Sequence, residues 1–163
     1  MEKHHLRRDD RELTNGDEID RILTTRPYVT VAACRDGEPY LVVLTHGYDA
    51  GQRRLYFHCA ADGKKIDFMK ANPRVWGIAI EDLGYLDGAC DHAYRTAMFG
   101  GLVGFVEDEE EKRRALELMI GQRESDPERV KAELLEPRRI REITIGRIDV
   151  DKISGKQSLP EGD

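Results

Sequence analysis

The amino-acid sequence predicts a mainly β fold, a six-stranded and mostly antiparallel barrel with α-helices at its periphery. Six segments are rich in β-branched and aromatic residues, and the helical segments do not alternate with them as in a parallel sheet. The fifth segment carries glycines at positions 100, 101 and 104. Glycines within a strand mark bends, bulges or close backbone approaches, as in a closed barrel. Together these observations favour a barrel over an open parallel sheet.

The predicted strands are separated by turn and breaker residues such as Asp36-Gly37 and Asn72-Pro73. Residues 47–54 are predicted to form a turn, and the segment LGYLDGACD is rich in turn formers. The strands are expected at 28–34, 39–45, 55–59, 74–81, about 94–107 and about 143–150.

The helices are predicted from their capping residues. Asn15 followed by Glu18 resembles a capping box for a short helix that ends at about residue 24. Asp108 is expected to cap a longer helix, in which the charged run EDEEEKRRALE is interpreted as a solvated face. Asp126-Pro127 begins another short helix, which Pro137 ends.

The last strand shows a change in its apolar alternation. The apolar residues Ile143 and Ile145 occupy odd-numbered positions and alternate with polar residues, whereas Ile148 and Val150 occupy even-numbered positions. If one face stays buried throughout, this phase change predicts a β-bulge at Gly146-Arg147.

The composition indicates one cytoplasmic domain. A length of 163 residues suits a single core, predicted as a charged arm at 1–13, a domain at 14–156 and a tail at 157–163. The net charge of −6 argues against nucleic-acid binding. No apolar run approaches the roughly 20 residues of a membrane span, and the N-terminus lacks an apolar signal core. Three cysteines without C-x-x-C spacing favour neither disulfides nor zinc.

The segment FHCAADGKKIDFMKANPRV carries the clearest functional signal. A strand ends at His58, and Gly63-Lys64-Lys65 opens an amphipathic helix a few residues later. Unpaired backbone N–H groups and the helix dipole favour an anion at such a helix start, and the two ammonium groups add to it. The alternative is an ordinary lysine pair on a solvated helix. The local pattern alone leaves both open.

The order of these segments resembles the FMN-binding split-barrel proteins related to pyridoxamine 5′-phosphate oxidase, and within them the nitroimidazole-resistance branch. The resemblance spans about residues 6 to 156. Its motifs are HLRRDDREL, CRDGEPYLVVLTHGYD, LYFHCAADGKKIDFMKANPRV, YRTAMFGGLVGFVEDEEEKRRALELMI and RIDVDKISGK. It implies a six-stranded antiparallel split β-barrel, FMN as cofactor, and a homodimer with the flavin between the subunits.

The resemblance also implies roles for individual residues. The strand along the flavin ring would be Val42, Val43, Leu44 and Thr45. Phe57 and His58 would lie beside the ring or ribityl chain, Lys64 and Lys65 would hold the phosphate, and Arg95 and Thr96 would approach a cofactor held mainly by the partner. The C-terminus ISGKQSLPEGD lacks the tryptophan and arginine of the oxidases proper, which argues against pyridoxamine phosphate as substrate.

His58 is the candidate catalytic residue, as a proton donor to a reduced substrate, because histidine exchanges protons near pH 7. The alternative is a histidine that only positions the cofactor. His46 and His92 are interpreted as surface or packing residues, Trp76 and Tyr94 as core or dimer-interface aromatics. The pair His4-His5 is interpreted as incidental, so no metal site is expected.

The sequence thus favours a cytoplasmic FMN-dependent oxidoreductase that takes a hydride from NAD(P)H and reduces a small organic acceptor such as a nitro compound. One alternative is a flavin-binding carrier or sensor without turnover. Another is a split barrel that holds deazaflavin or haem.

Overall fold

The structure is a computed structural model in which residues 8–160 are described. These residues form eight strands and five α-helices, after a short 3₁₀ turn at Asp9–Arg11. The strands are β1 (Glu12–Leu13), β2 (Tyr28–Arg35), β3 (Glu38–Thr45), β4 (Gly47–Asp49), β5 (Arg54–Cys59), β6 (Arg74–Leu86), β7 (Asp91–Val106) and β8 (Thr144–Ser158). The helices are α1 (Gly16–Thr25), α2 (Lys64–Ala71), α3 (Glu109–Arg123), α4 (Pro127–Leu134) and α5 (Pro137–Glu142).

All strands belong to one antiparallel sheet in the order β3-β2-β6-β7-β8-β5-β4, with β1 paired to β8. Strands β3 and β5 nevertheless approach each other at a few residues, and Leu44 of β3 and Phe57 of β5 share the barrel core, although no ladder joins the two strands within residues 8–160. The sheet therefore curls on itself and leaves an open seam between β3 and β5. This confirms the mainly β, antiparallel split barrel.

The predicted count of six strands is wrong, because β1 and β4 are present as well. Strand β4 falls in the predicted turn and is held by contacts distant in sequence. The Tyr48 backbone N–H donates to Gln122 Oε1 at 2.9 Å, and the Tyr48 hydroxyl donates to Asp20 Oδ1 at 2.9 Å. Local turn chemistry gives no sign of such tertiary pairing, so β4 could not be foreseen.

Strands β6 and β7 continue as a hairpin well into the segment predicted as turns. The ladder reaches Leu86 opposite Asp91, and its register shifts between Asp82 and Gly84, where Gly84 has a φ of 101°. A bulge with glycine in this conformation lets the ribbon bend without ending the pairing.

The bulge predicted at Gly146-Arg147 is wrong. The β5–β8 ladder runs unbroken past these residues, and the register shift in β8 lies between Val150 and Lys152, opposite Gly101 and Gly100. The prediction assumed one buried face, but β8 is buried on both sides. Ile148 faces the barrel interior, whereas Ile145 packs against the helical side.

Two apolar cores follow from this arrangement. The larger one fills the barrel, and the smaller one lies between β5, β8 and α3. The predicted N-caps are confirmed, since the Asn15 side chain accepts from the N–H groups of Asp17 and Glu18, and Asp108 accepts from Glu111. The Glu18 carboxylate accepts from Arg21, so the second half of the predicted capping box is not confirmed. No helix in the described part of the chain has the length and apolarity for a membrane span.

The domain division stays a prediction. Strand β1 lies within the predicted arm, and β8 continues past residue 156 to Ser158. Residues 1–7 of the arm, including His4-His5, and residues 161–163 of the tail lie outside the described residues.

Candidate functional site

The seam between β3 and β5 exposes one backbone edge of β3. Within the described chain, β3 pairs with β2 alone. Leu44 is buried and Val42 packs against the barrel core, whereas Val43 and Thr45 are exposed on the opposite face. A strand with one free edge has N–H and C=O groups available to a ligand. The predicted role of residues 42–45, which depends on backbone contacts, fits this geometry and stays a prediction.

The end of β5 presents His58 on the outside of the barrel. Phe57 is buried in the barrel core and covers Gly146, where a Cβ atom would overlap the Phe57 ring. Because side chains alternate along a strand, His58 points the other way and is exposed. The imidazole is therefore accessible to a ligand at the seam, whereas Phe57 could contact one only through its backbone.

The first turn of α2 offers an anion site at the end of the same strand. Its N-cap is Gly63, with a φ of 113° and no side-chain hydrogen bond to the helix start. The N–H groups of Ile66 and Asp67 bond to the Gly63 carbonyl, so the N–H groups of Lys64 and Lys65 before them remain for a ligand. Two ammonium groups and uncapped N–H groups fit a phosphate.

Lys64 already has partners within the chain. Its Nζ lies 3.2 Å from Glu38 Oε1 and above the rings of Tyr40 and Phe68, at 5.1 and 5.3 Å from their centroids. A phosphate would therefore share this ammonium with Glu38. Lys65 is half-buried at the other side of the turn.

Arg95 and Thr96 lie away from the seam and are bound within their own chain. Arg95 Nη1 lies 3.4 Å from Glu81 Oε2, and the Thr96 hydroxyl donates to the Lys156 carbonyl at 3.2 Å. Glu81 is buried, and its hydrogen bond from Arg21 lowers the pKa of its carboxyl. The contact of Arg95 and Thr96 with a partner's cofactor stays a prediction.

His46 and His92 do not join the candidate site. His46 is buried, and its Nε2–H donates to the Leu23 carbonyl at 2.7 Å. Burial lowers its pKa to about 4, so it is neutral near pH 7. His92 pairs with Asp82 on the exposed hairpin, at 2.6 Å. Residues 8–160 contain no group of three acidic, histidine or cysteine side chains that could hold a metal ion.

A cavity beside the seam was not foreseen from the sequence. It has a volume of about 470 Å³ and joins Thr45 and His58 to the inner face of α3. The run EDEEEKRRALE, predicted as a solvated face of α3, is exposed only in part: Ala115 and Leu116 are buried, and Leu116 lines the cavity together with Met119 and Ile120. Their helical spacing was the available signal, but only the fold shows that β3 and β5 meet them.

The curled antiparallel sheet, its open seam and the uncapped, lysine-bearing helix start define a split-barrel protein. The family model described as pyridoxamine 5′-phosphate oxidase matches residues 15–157. The chain belongs to this family, whose fold binds flavins.

Solved structures share this fold, and one relative is similar to part of the chain. A candidate 5-nitroimidazole antibiotic resistance protein from Bacteroides thetaiotaomicron is 26% identical, with a TM-score of 0.71 over 90% of this chain and 86% of that chain. An FAD- and haem-binding protein from Mycobacterium smegmatis, at 20% identity, has a TM-score of 0.74 over 94% and 77% of the two chains, and supports the fold alone. An uncharacterised protein of Rhizobium meliloti (strain 1021) is 34% identical over 59 residues, which span 36% of this chain and 37% of that protein.

Proposed function

We propose that this protein is an FMN-binding oxidoreductase that takes a hydride from a reduced nicotinamide and passes electrons to a small organic acceptor. The observation that carries the proposal is the start of α2. An uncapped helix start with two lysines lies at the end of β5, the strand that borders the seam. A flavin phosphate at this turn would leave its ring system free to extend along the seam towards Thr45 and His58.

The chain's own residues would bind and orient the cofactor. Lys64, Lys65 and the first N–H groups of α2 would hold the phosphate, and the free edge of β3 would hydrogen-bond the polar side of the ring. His58 would hold a proton at its imidazole for delivery to the reduced acceptor. The flavin, when bound, supplies the hydride and electron chemistry. The phosphate site favours a phosphorylated cofactor over haem.

An exposed apolar sheet face supports a homodimer as part of this proposal. By strand register, Leu41, Ala32, Trp76 and Gly100 form one row across four strands, and Val43, Thr30, Ile78 and Met98 form the next. Leu41 is 67% exposed and Val43 60% exposed. A contiguous apolar face of this kind marks an interaction surface, and we propose that a second copy of the chain covers it.

The first test identifies the cofactor. The purified protein should carry a ligand with a flavin absorption spectrum and the mass of FMN. Replacing Lys64 and Lys65 with alanine should release it, whereas replacing Lys70 and Lys131, which lie outside this turn, should not. A haem spectrum, or full FMN retention in the Lys64→Ala/Lys65→Ala protein, would contradict the phosphate site.

The second test asks for turnover. Under anaerobic conditions, NADH or NADPH should bleach the flavin, and a nitroaromatic compound should restore its colour. Failure with many donors and acceptors would refute the oxidoreductase and favour a flavin carrier or sensor.

A further inference from the structure

The cavity beside the seam has apolar walls and one inner charge. Three faces form it: α3, the α4–α5 segment, and the ends of β3 and β5. Its apolar lining is Leu116, Met119, Ile120, Leu134 and Ile143, and its polar lining is Thr45, His58, Arg123, Glu124, Arg139 and Glu142. Among the charged members, Arg123 is half-buried, whereas Glu124, Arg139 and Glu142 are exposed. The exposed charges form a rim, and Arg123 is the charge of the interior.

Arg123 is a guanidinium without an anion. Its Nε donates to the His46 carbonyl at 3.0 Å, and its Nη2 is buried without a hydrogen-bond acceptor. No carboxylate within residues 8–160 forms an ion pair with it, and Arg26 nearby carries the same charge. Burial and the charge of Arg26 both lower the pKa of Arg123. A half-buried cation without a partner is destabilising, and a bound anion would compensate it.

The rim does not supply that anion. The Glu142 carboxylate accepts from Arg138 Nε at 2.9 Å on the outside of α5. Glu124 follows the last residue of α3 as its exposed C-cap. Neither residue is paired with Arg123. Because Nε is bonded to the His46 carbonyl and Nη2 is closed off from solvent, a ligand in the cavity would reach the guanidinium at Nη1, which has neither constraint.

The volume limits the size of the ligand. A cavity of about 150 Å³ accommodates benzene, and drug-sized ligands occupy about 300–1,000 Å³. The 470 Å³ here therefore suits a one- or two-ring molecule. Leucine, methionine and isoleucine side chains favour an aromatic ring over a sugar or a polyamine, because they offer no hydrogen bonds.

We propose that this cavity binds a compact aromatic molecule that carries one carboxylate or similar anionic group, with the ring against α3 and the anion at Arg123. Thr45 and His58 border the same space, so this molecule is the electron acceptor of the proposed oxidoreductase. That role rests on the proposed function, whereas the binding itself does not.

The test compares 4-nitrobenzoate with the neutral 4-nitrobenzamide, which has nearly the same shape. Calorimetric titration of the protein as purified, without nicotinamide, gives both dissociation constants. The carboxylate should bind more tightly, and Arg123→Gln should weaken its binding about tenfold or more with little effect on the amide. Arg139→Gln removes a rim charge of the same cavity and should change either affinity less than about threefold.

Two further variants test whether weaker binding comes from the cavity itself and not from a loss of folding. Arg123→Lys keeps the charge and should retain most of the carboxylate preference, and circular-dichroism melting checks that each variant is folded. Leu134→Trp narrows the mouth of the cavity and should weaken both probes. Equal binding of the two probes, or carboxylate binding that survives Arg123→Gln, would overturn the inference.

The experiments distinguish a failure of the cavity site from a failure of the proposed oxidoreductase function. Arg123-dependent binding to a protein that holds no flavin would support the cavity site and refute the oxidoreductase. A flavin that NADPH bleaches, in a protein that does not prefer the carboxylate, would support the oxidoreductase and refute the inference.

Discussion

The ion pair between Lys64 and Glu38 gives a sharp test of the phosphate site. Lys64 Nζ lies 3.2 Å from Glu38 Oε1, and a phosphate at the start of α2 would compete with this carboxylate for the same ammonium. The Glu38→Gln variant removes the competing charge and keeps the side-chain length. We expect this variant to bind FMN more tightly than the wild-type protein.

The exposure of the pair sets the size of the effect. The side chains of Lys64 and Glu38 are 58% and 63% exposed, so their interaction is a surface ion pair. Such pairs contribute about 0.2–1 kcal/mol, and 1.4 kcal/mol corresponds to a tenfold change in affinity. Glu38→Gln should therefore raise the FMN affinity about 1.5- to 5-fold at low salt, with a smaller gain at high salt, where surface charges are screened.

Fluorescence titration of the apoprotein with FMN and with riboflavin measures this effect. Riboflavin lacks the phosphate, so its affinity should not change in Glu38→Gln. The gain for FMN should shrink in the Lys64→Ala background, and Glu133→Gln, which removes an acid paired with Arg129 on α4, should show none. An equal gain for FMN and riboflavin would refute the placement of the phosphate at Lys64.

Three other perturbations test the fold around the site. Burial lowers the pKa of His46 to about 4 from 6.5, so the neutral imidazole contributes fully to the free energy of unfolding above pH 6.5, and this contribution is lost as the pH falls towards 4. Between pH 7 and 5, the free energy of unfolding measured in urea should fall by on the order of 2 kcal/mol more for the wild type than for His46→Gln. Gly146→Ala should lower the free energy of unfolding by about 1–3 kcal/mol, because the added methyl overlaps the Phe57 ring, and Phe57→Leu in the same chain should recover part of the loss. Leu41→Asp on the exposed sheet face should give a monomer in sedimentation velocity if a second copy covers that face, whereas Leu134→Asp on α4 should leave the dimer intact.

The sequence was sufficient to predict the helices and strands that are stabilised by residues close to them in the chain. Asn15 and Asp108 cap α1 and α3 through their own side chains, and the apolar alternation of β2 follows directly from its residues. Strand β4 was missed because long-range contacts hold it, and the extended hairpin was missed because the bulge at Gly84 lets the ladder continue through turn-forming residues. Turn formers in sequence do not prevent pairing when Gln122 on a distant helix satisfies the Tyr48 backbone.

The candidate site likewise has one part that the sequence predicts and one part that only the fold shows. Lys64 and Lys65 could be placed from sequence because a helix start is a local feature, and the structure shows its uncapped N–H groups. The cavity could not be placed, since its walls come from β3, β5 and three helices that only the fold brings together. The surroundings of Arg123 could not be predicted either, because only the fold brings Arg26 and the His46 carbonyl close to it.

The barrel core also fixes the position of His58 at the seam. Phe57 fills the interior above Gly146, and the two-residue period of the strand then turns His58 outward towards the cavity. A slip of one residue in the β5–β8 register would place His58 in the core and Phe57 at the seam. The absence of a Cβ at Gly146 permits the close approach of the Phe57 ring, and that approach opposes the slip. The glycine therefore acts on the candidate site through the core, although it lies on the barrel side of β8 and His58 lies on the other face of the sheet.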